Sequence, residues 1–496
     1  MTAGVGIAAA SGVAGAQARR AKEPTAGRQG PAEYRSRNGV LKATLVAMSE
    51  PALVNGVLTA GVLSYNGYFP GPMLRVRPGD RLQIRLVNRT LLPTNLHFHG
   101  MHVSPKGHQD NVFVQVDPGG TFEYDVRIPK DHPRGLYWYH PHFHPDVDTQ
   151  VWRGLAGLLL VEGGVTELPL IRDVPIREMS IRQAAFAAPS QYDVEQMQPL
   201  DQQINLVDGN VMPKIDIRPG ETQLWRFANI GSSAYYRLAI PGARMTVVED
   251  DGGVVYRTWE PDSLLMPPGK RFGVLVTAPR VPKQLKLVTL GYYQGPFGDW
   301  PAADLASVHV AGRQGRSITV PEKLSEQPDW VKGPVAKRRV LTLGETPPDV
   351  FPPTFYINGV PFEKMTFADV IQATLGTTEE WVVRNATSTE GGTINEAHPF
   401  HLHVNDIVIV ESGDWDPATN EISNVRKVDP RSAIDTFNVP WNSYVKFRTN
   451  FSDFTGRTVY HCHILFHEDH GMMGVVDILD AEGKGVGADQ QLPMHH

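Results

Sequence analysis

Histidines come in closely spaced pairs along this chain. His97-Phe98-His99, His140-Pro141-His142, His398-Pro399-Phe400-His401-Leu402-His403 and His461-Cys462-His463 stand out, and His467 and Met472 follow the last of them. With His467, these segments hold ten of the eighteen histidines. Residues two apart on an extended strand share a face. Each H-x-H therefore presents two imidazoles side by side. The four pairs offer eight nitrogens, too many for one ion, so about three metals with two or three imidazoles each fit better. In the last motif His461 and His463 point to one face and Cys462 to the other. One strand can thus serve two sites, with the thiolate in one and the imidazoles in the other. His398, His467 and Met472 can complete the thiolate site. Two histidines, one cysteine and a weak methionine are the blue-copper ligand set. The backbone between Cys462 and its neighbours is a natural route for electrons. A single H-x-H could be a satisfied core pair or a zinc ligand. Zinc, however, does not need an axial methionine, and structural zinc favours more cysteines than one.

Strands must carry these pairs, and the chain repeats a strand pattern. Residues 77–88 (RPGDRLQIRLVN), 218–229 (RPGETQLWRFAN) and 374–385 (TLGTTEEWVVRN) each place an asparagine nine residues after a glycine. In the first copy Leu82, Ile84 and Leu86 face one way and Arg81, Gln83 and Arg85 the other. A second turn follows each copy, at Asp117-Pro118-Gly119, Pro267-Pro268-Gly269 and Val439-Pro440-Trp441. The 496 residues suit about three domains. The 47 glycines and 40 prolines exceed the usual ~12% of a chain, which favours turn-rich β structure. The expectation is an all-β chain of three similar sandwich or barrel domains at 34–164, 165–312 and 341–482. A leader (1–33), a polar, basic linker (313–340) and a tail (483–496) complete the division. His495 and His496 belong to the tail and are not counted as ligands. Residues 151–161 read as a buried strand closing the first domain.

The net charge of −6 argues against nucleic acid as the main partner. The lone cysteine excludes an intrachain disulfide framework. Residues 4–18 are small and apolar and end in Ala16-Gln17-Ala18, which resembles the end of a signal peptide without its basic start. A periplasmic or secreted protein is expected. No stretch reaches the ~18 apolar residues of a membrane span, and a monomer is expected.

HFHG at 97–100, WYHPH at 138–142, HPFHLH at 398–403 and HCHILFHEDHGMM at 461–473 resemble the four copper motifs of the three-domain multicopper oxidases, bacterial laccase type. The similarity spans about residues 40–480, and no ligand position is lost. It implies three cupredoxin-like Greek-key β-sandwich domains and four copper ions: one type 1, one type 2 and two type 3. It also implies reduction of dioxygen to water. By motif position, His398, Cys462, His467 and Met472 resemble the type 1 ligands, with Met473 a competing axial candidate. His97 and His401 resemble the type 2 pair. His99, His140 and His463 would hold one type 3 copper, and His142, His403 and His461 the other. The cluster would lie between the first and third domains, with the middle domain as a spacer.

Reduction of dioxygen to water consumes protons. Glu468, next to His467, matches the acid of the bacterial HEDHGMM segment and is the first relay candidate. Asp110 lies on the loop where relatives carry an acid near the type 2 copper. Asp469 reads as structural or solvated. His102, His108, His132, His144, His309 and His470 fall outside the ligand pattern, and Trp138 and Tyr139 read as core aromatics. The reductant is expected to be a small aromatic donor such as a phenol or aniline. The alternative is a metal ion: Cu(I), Fe(II) or Mn(II). Cuprous oxidases of the family often carry a Met-rich insertion. This chain has 13 methionines and none between 313 and 350. Relatives that serve as non-catalytic structural proteins have lost copper ligands, and this chain has not.

Overall fold

The computed structural model describes residues 28–29, 32–186, 192–193, 198–199, 203–296, 298–346, 350, 353–386, 388–389, 392–393, 395–487 and 490. The expected signal-peptide remnant, like His495 and His496, lies outside the described residues.

The repeat is a structural one. Arg81–Arg89, Thr222–Asn229 and Thr377–Asn385 each lie in a six-stranded sheet between equivalent neighbours. Each runs parallel to an earlier strand: Val40–Met48, Ile176–Ala184 or Lys337–Glu345. Each runs antiparallel to the strand after the second turn: Thr121–Arg127, Arg271–Thr277 or Ser443–Phe451. A five-stranded sheet backs each six-stranded one. The result is three two-sheet sandwiches of one kind, an all-β cupredoxin architecture. In the first copy Leu82, Ile84 and Leu86 are buried, as the alternation requires, while Arg81 and Arg85 are exposed.

The repeated asparagine has a defined task. Asn88, Asn229 and Asn385 are buried, and each side-chain amide donates to two carbonyls. One is the carbonyl just before the second turn: Val116, Met266 or Val439, at 2.8, 3.0 and 3.0 Å. The other is on the segment that leaves the strand: Leu92, Ala234 or Glu396, at 2.8 Å in each case. In the first and third sandwiches that segment leads directly into a histidine strand. A buried amide with both hydrogens bonded fixes these loops at low cost.

Three expectations change in detail. The segment 151–161 is not one strand. A helix, Val147–Arg153, precedes the strand Gly157–Val161. The helix forms there because the Asp469 carboxylate accepts its first N–H groups, from Val147 (3.1 Å) and Asp148 (2.6 Å). The third sandwich starts at Lys337, inside the stretch read as linker. Its basic run looks like linker in the sequence, but Arg339 pairs with Glu379 of the neighbouring strand. Gln490, within the expected tail, is buried and donates to the carbonyls of Pro105 and Arg457 at 2.7 Å. Among the described residues no helix is long and apolar enough to cross a membrane.

Candidate metal centre

Two strand pairs face each other across the boundary of the first and third sandwiches. His97–His99 runs antiparallel to Gly135–His140, with His97 opposite His140 and His99 opposite Trp138. His398–Leu402 runs antiparallel to Gly456–Cys462, with His401 opposite His461 and Phe400 opposite Cys462. Alternation then separates two environments. Phe98 enters the first core, and Phe400 and Cys462 enter the third. The imidazoles of His97, His99, His140, His142, His401, His403, His461 and His463 gather between the domains, all buried. Asn95 holds the bend after His140 by accepting the His142 N–H at 2.6 Å.

Within this gathering, His142, His403 and His461 form one compact group. The Nε2 atom of His461 lies 3.3 Å from that of His142 and 3.1 Å from that of His403. His463 Nε2 is 3.2 Å from His99 Nδ1, and the His99, His140 and His463 rings lie 4.8–5.9 Å apart. The closest nitrogen groupings on this side are His97 with His99 and His140, and His97 with His401 and His403, so His97 bridges the two halves. The Nε2 atoms of His97, His140 and His401 are buried without a hydrogen-bond partner. Burial, with the neighbouring imidazoles adding to it, pushes His97, His140, His403 and His463 well below the ordinary histidine range. Neutral rings that turn lone pairs toward one another repel unless a cation lies among them. The donor set therefore fits a cluster of imidazole-bound metal ions.

Cys462 stands on the other face of the same strand. Its Sγ is 3.6 Å from His398 Nδ1 and 3.7 Å from His467 Nδ1, and the two Nδ1 atoms are 3.2 Å apart. Met472 is fully buried in the same apolar cluster as Cys462. Its backbone accepts the Cys462 N–H at 3.0 Å. Met473 packs elsewhere, with Val459 and Val475, so Met472 is the methionine that shares the thiol's surroundings. Burial pushes the Cys462 thiol well up, and the carboxylates of Glu396, Glu468 and Glu345 add to this. Only a bound cation would keep it a thiolate here.

Carboxylates hold the back of several rings. Asp110 Oδ2 is 3.0 Å from His97 Nδ1, and Oδ1 accepts the Phe98 N–H at 3.0 Å. Burial pushes the Asp110 carboxyl up to about 8, against the pull of that N–H. Glu468 Oε2 is 2.9 Å from His461 Nδ1, and Oε1 is 3.5 Å from His142 Nε2. Burial pushes Glu468 up, and the imidazoles of His461 and His142 outweigh it, holding the carboxyl down at about 2. Asp469 is structural, as the capping bonds above require.

Five contributors lie outside the histidine motifs. Asp435 reaches His99 and His401, and Arg271 of the middle sandwich grips Asp435. Glu396 Oε1 lies 3.7 Å from His467 Nε2, with Glu345 nearby. Gly269, also of the middle sandwich, abuts the cluster, where an added Cβ would lie 3.0 Å from both His463 and His99. The middle sandwich is therefore a wall of the site, not a spacer. The turn after Met266, pinned by Asn229, brings it there. Trp138, expected as a core aromatic, stacks on His140 at 4.2 Å. Tyr139 donates to the Pro72 carbonyl in the first core. His102, His108, His132, His144, His309 and His470 have protein partners, and none belongs to a candidate metal group among the described residues.

Family models described as multicopper oxidase match residues 47–165, 182–289 and 335–482. A curated multicopper oxidase of Staphylococcus aureus is 23% identical over 84% of this chain and 84% of its own length. A laccase of Bacillus subtilis is 24% identical over 84% of this chain and 90% of its own length. The solved structure of a multicopper oxidase from Campylobacter jejuni, described as a metallo-oxidase, superposes with a TM-score of 0.75 at 24% identity. That match covers 91% of this chain and 95% of the other.

Proposed function

The chain belongs to the multicopper oxidase family of oxidoreductases, and from that premise we propose that it couples one-electron oxidation of small aromatic donors to four-electron reduction of dioxygen to water on four copper ions. His398, Cys462, His467 and Met472 would hold the type 1 ion, and His97 and His401 the type 2 ion. His99, His140 and His463 would hold one type 3 ion, and His142, His403 and His461 the other. Copper in these positions would supply one-electron chemistry at the thiolate site and dioxygen reduction at the cluster. The carrying observation is the strand that turns Cys462 toward His398 and His467 while His461 and His463 face the cluster. Export to the periplasm or beyond, and action as a monomer, belong to the same proposal.

The residues around the ligands orient rings and handle protons. Asp110 accepts from the outer nitrogen of His97, and the Cys462 carbonyl accepts from that of His461 at 3.0 Å with Glu468 Oε2 2.9 Å from the same nitrogen, which fixes those rings and their tautomers. Phe355 stacks on His467 at 4.0 Å and holds its plane. Glu468 also sits where protons are consumed, fully buried and within reach of two cluster rings. Glu468→Gln is nearly isosteric, so copper content and colour are expected to persist. Turnover should fall roughly 10²-fold. Stopped flow should localise the loss to reoxidation by air, with reduction by donor near normal. Unchanged reoxidation would remove Glu468 from proton delivery and leave Asp110.

The aromatic reading draws support from the laccase relative and from the absence of methionine between 313 and 350. One observation favours a metal-ion donor. Glu396 faces His467, and burial pushes it up to about 8 and the neighbouring Glu345 well up. One oxygen of each, Glu396 Oε2 and Glu345 Oε1, is buried without a partner. An arriving cation would displace their protons and take these oxygens as ligands. Steady-state rates with a phenol, a redox dye, Cu(I), Fe(II) and Mn(II), with oxygen uptake followed, decide between the readings. If the donor is a metal ion, Glu345→Gln should lower its kcat/KM about 10-fold or more and spare the phenol. Equal effects on both donors would leave the aromatic reading.

A further inference from the structure

We propose that Arg271 of the middle domain positions two cluster ligands through Asp435 and thereby sets how tightly the type 2 copper is held. The inference rests on the ligand assignment above. Arg271 opens the strand Arg271–Thr277 and is fully buried. Its guanidinium forks onto Asp435, with Nη1 to Oδ1 and Nη2 to Oδ2 both at 2.7 Å. Its other hydrogens go to the carbonyls of Gly269 (3.1 Å), Asp251 (2.8 Å) and Leu136 (3.3 Å). The last of these is in the first domain, so one side chain ties all three sandwiches together at the cluster.

The strand below is fixed as well. The Asp251 carboxylate accepts N–H groups from Arg271, Asp435 and Thr436, each at 3.1 Å, and the Lys270 ammonium at 2.8 Å. Asp435 therefore has its backbone and its carboxylate set by the middle domain. The glycine of the HFHG motif makes room for the pair. A Cβ on Gly100 would lie 2.3 Å from Arg271 Nη2 and 2.6 Å from Asp435 Oδ2.

Asp435 Oδ1 lies 3.3 Å from His99 Nε2 and 3.5 Å from His401 Nδ1, and the Asp435 carbonyl is 2.9 Å from His401 Nδ1. An ionised carboxylate and a carbonyl only accept, so His99 donates to the Asp435 carboxylate and His401 to the Asp435 carbonyl, beside the Thr436 hydroxyl that lies 3.2 Å from His401 Nδ1 and donates to Asp435 Oδ1 at 2.9 Å. His99 must then carry its proton on Nε2 and turn Nδ1 toward His463. His401 must carry its proton on Nδ1 and turn its unpartnered Nε2 inward. One aspartate thus selects opposite tautomers in a type 3 ligand and a type 2 ligand. Arg271 keeps that aspartate aimed. Loss of such an outer partner typically costs about 10–100-fold in metal affinity.

The test is copper retention by the loaded protein against a graded chelator. The EPR signal of the isolated type 2 ion is followed beside the blue type 1 band. Arg271→Met should release the type 2 ion at about 10–100-fold lower chelator while the blue band persists. Arg271→Lys, which restores charge without the fork, should fall between that variant and the parent. Adding Arg271→Met to Asp435→Asn should cost little more than Asp435→Asn alone, because Arg271 acts through Asp435. Type 2 retention equal to the parent in Arg271→Met would overturn the proposal. So would equal loss of both signals in the Met and Lys variants, which marks a merely structural role. A parent protein without a type 2 signal would instead overturn the ligand assignment beneath it.

Discussion

His463→Ala should give a protein that is still blue and still reduced by donor, but no longer takes up dioxygen. The expectation follows from strand alternation. His463 Nε2 faces His99 Nδ1 at 3.2 Å, and its Nδ1 is buried without a partner. Cys462, one residue earlier, has its Sγ among His398, His467 and the third core. Removing the imidazole strips one ligand from the cluster and touches none at the thiol. Donor oxidation should stop after the first electrons are stored, so turnover falls to background while anaerobic bleaching by donor stays fast. His401→Ala should behave alike, because its Nε2 also points inward. Absorption, copper content and oxygen uptake on one sample decide the matter. A colourless His463→Ala protein that still consumed oxygen would refute the placement of the two sites on opposite faces of one strand.

Cys462→Ser should have the complementary effect. The intense colour of such a site comes from the thiolate bond to Cu(II), and a serine hydroxyl is too hard and too weakly acidic to replace it. Absorption should lose the blue band, bound copper should fall from four ions toward three, and oxidation of every donor should stop. The cluster rings make no bond to the Cys462 side chain, so the cluster should still load. Persistent blue colour in Cys462→Ser would remove the thiol from the type 1 site.

The gathering of histidines is legible in the sequence because histidine is scarce and its spacing matches the period of a strand. Four H-x-H pairs carry their geometry with them. The repeat was legible for a similar reason, since Gly79 to Asn88 and its two copies keep one spacing around a period-two strand. Even so, the asparagine's task, stapling two loop carbonyls, appears only once the turns are placed. The parts that Asp435, Arg271, Glu396 and Gly269 play at the cluster are not legible. Aspartate, arginine and glutamate are common, and these act across domain boundaries with no local period to betray them. Asp435 matters because its neighbour Thr436 pairs with His401 across the sheet, and Arg271 because a turn of the middle domain delivers it to Asp435. For the same reason the middle domain reads as a spacer in the sequence and becomes a wall of the site only in the fold. The helix at Val147 has no local signal, because the carboxylate that accepts its first N–H groups, Asp469, lies more than three hundred residues away.

Reaction stoichiometry tests most directly whether one-electron donors are coupled to complete reduction of dioxygen. The copper-loaded protein would be given a limiting one-electron donor in a closed oxygen-electrode cell, with the donor radical or product counted and hydrogen peroxide assayed. Four donor equivalents should be oxidised per dioxygen consumed, with no peroxide. Two equivalents per dioxygen with peroxide accumulating, or donor oxidation without oxygen uptake, would contradict this coupling.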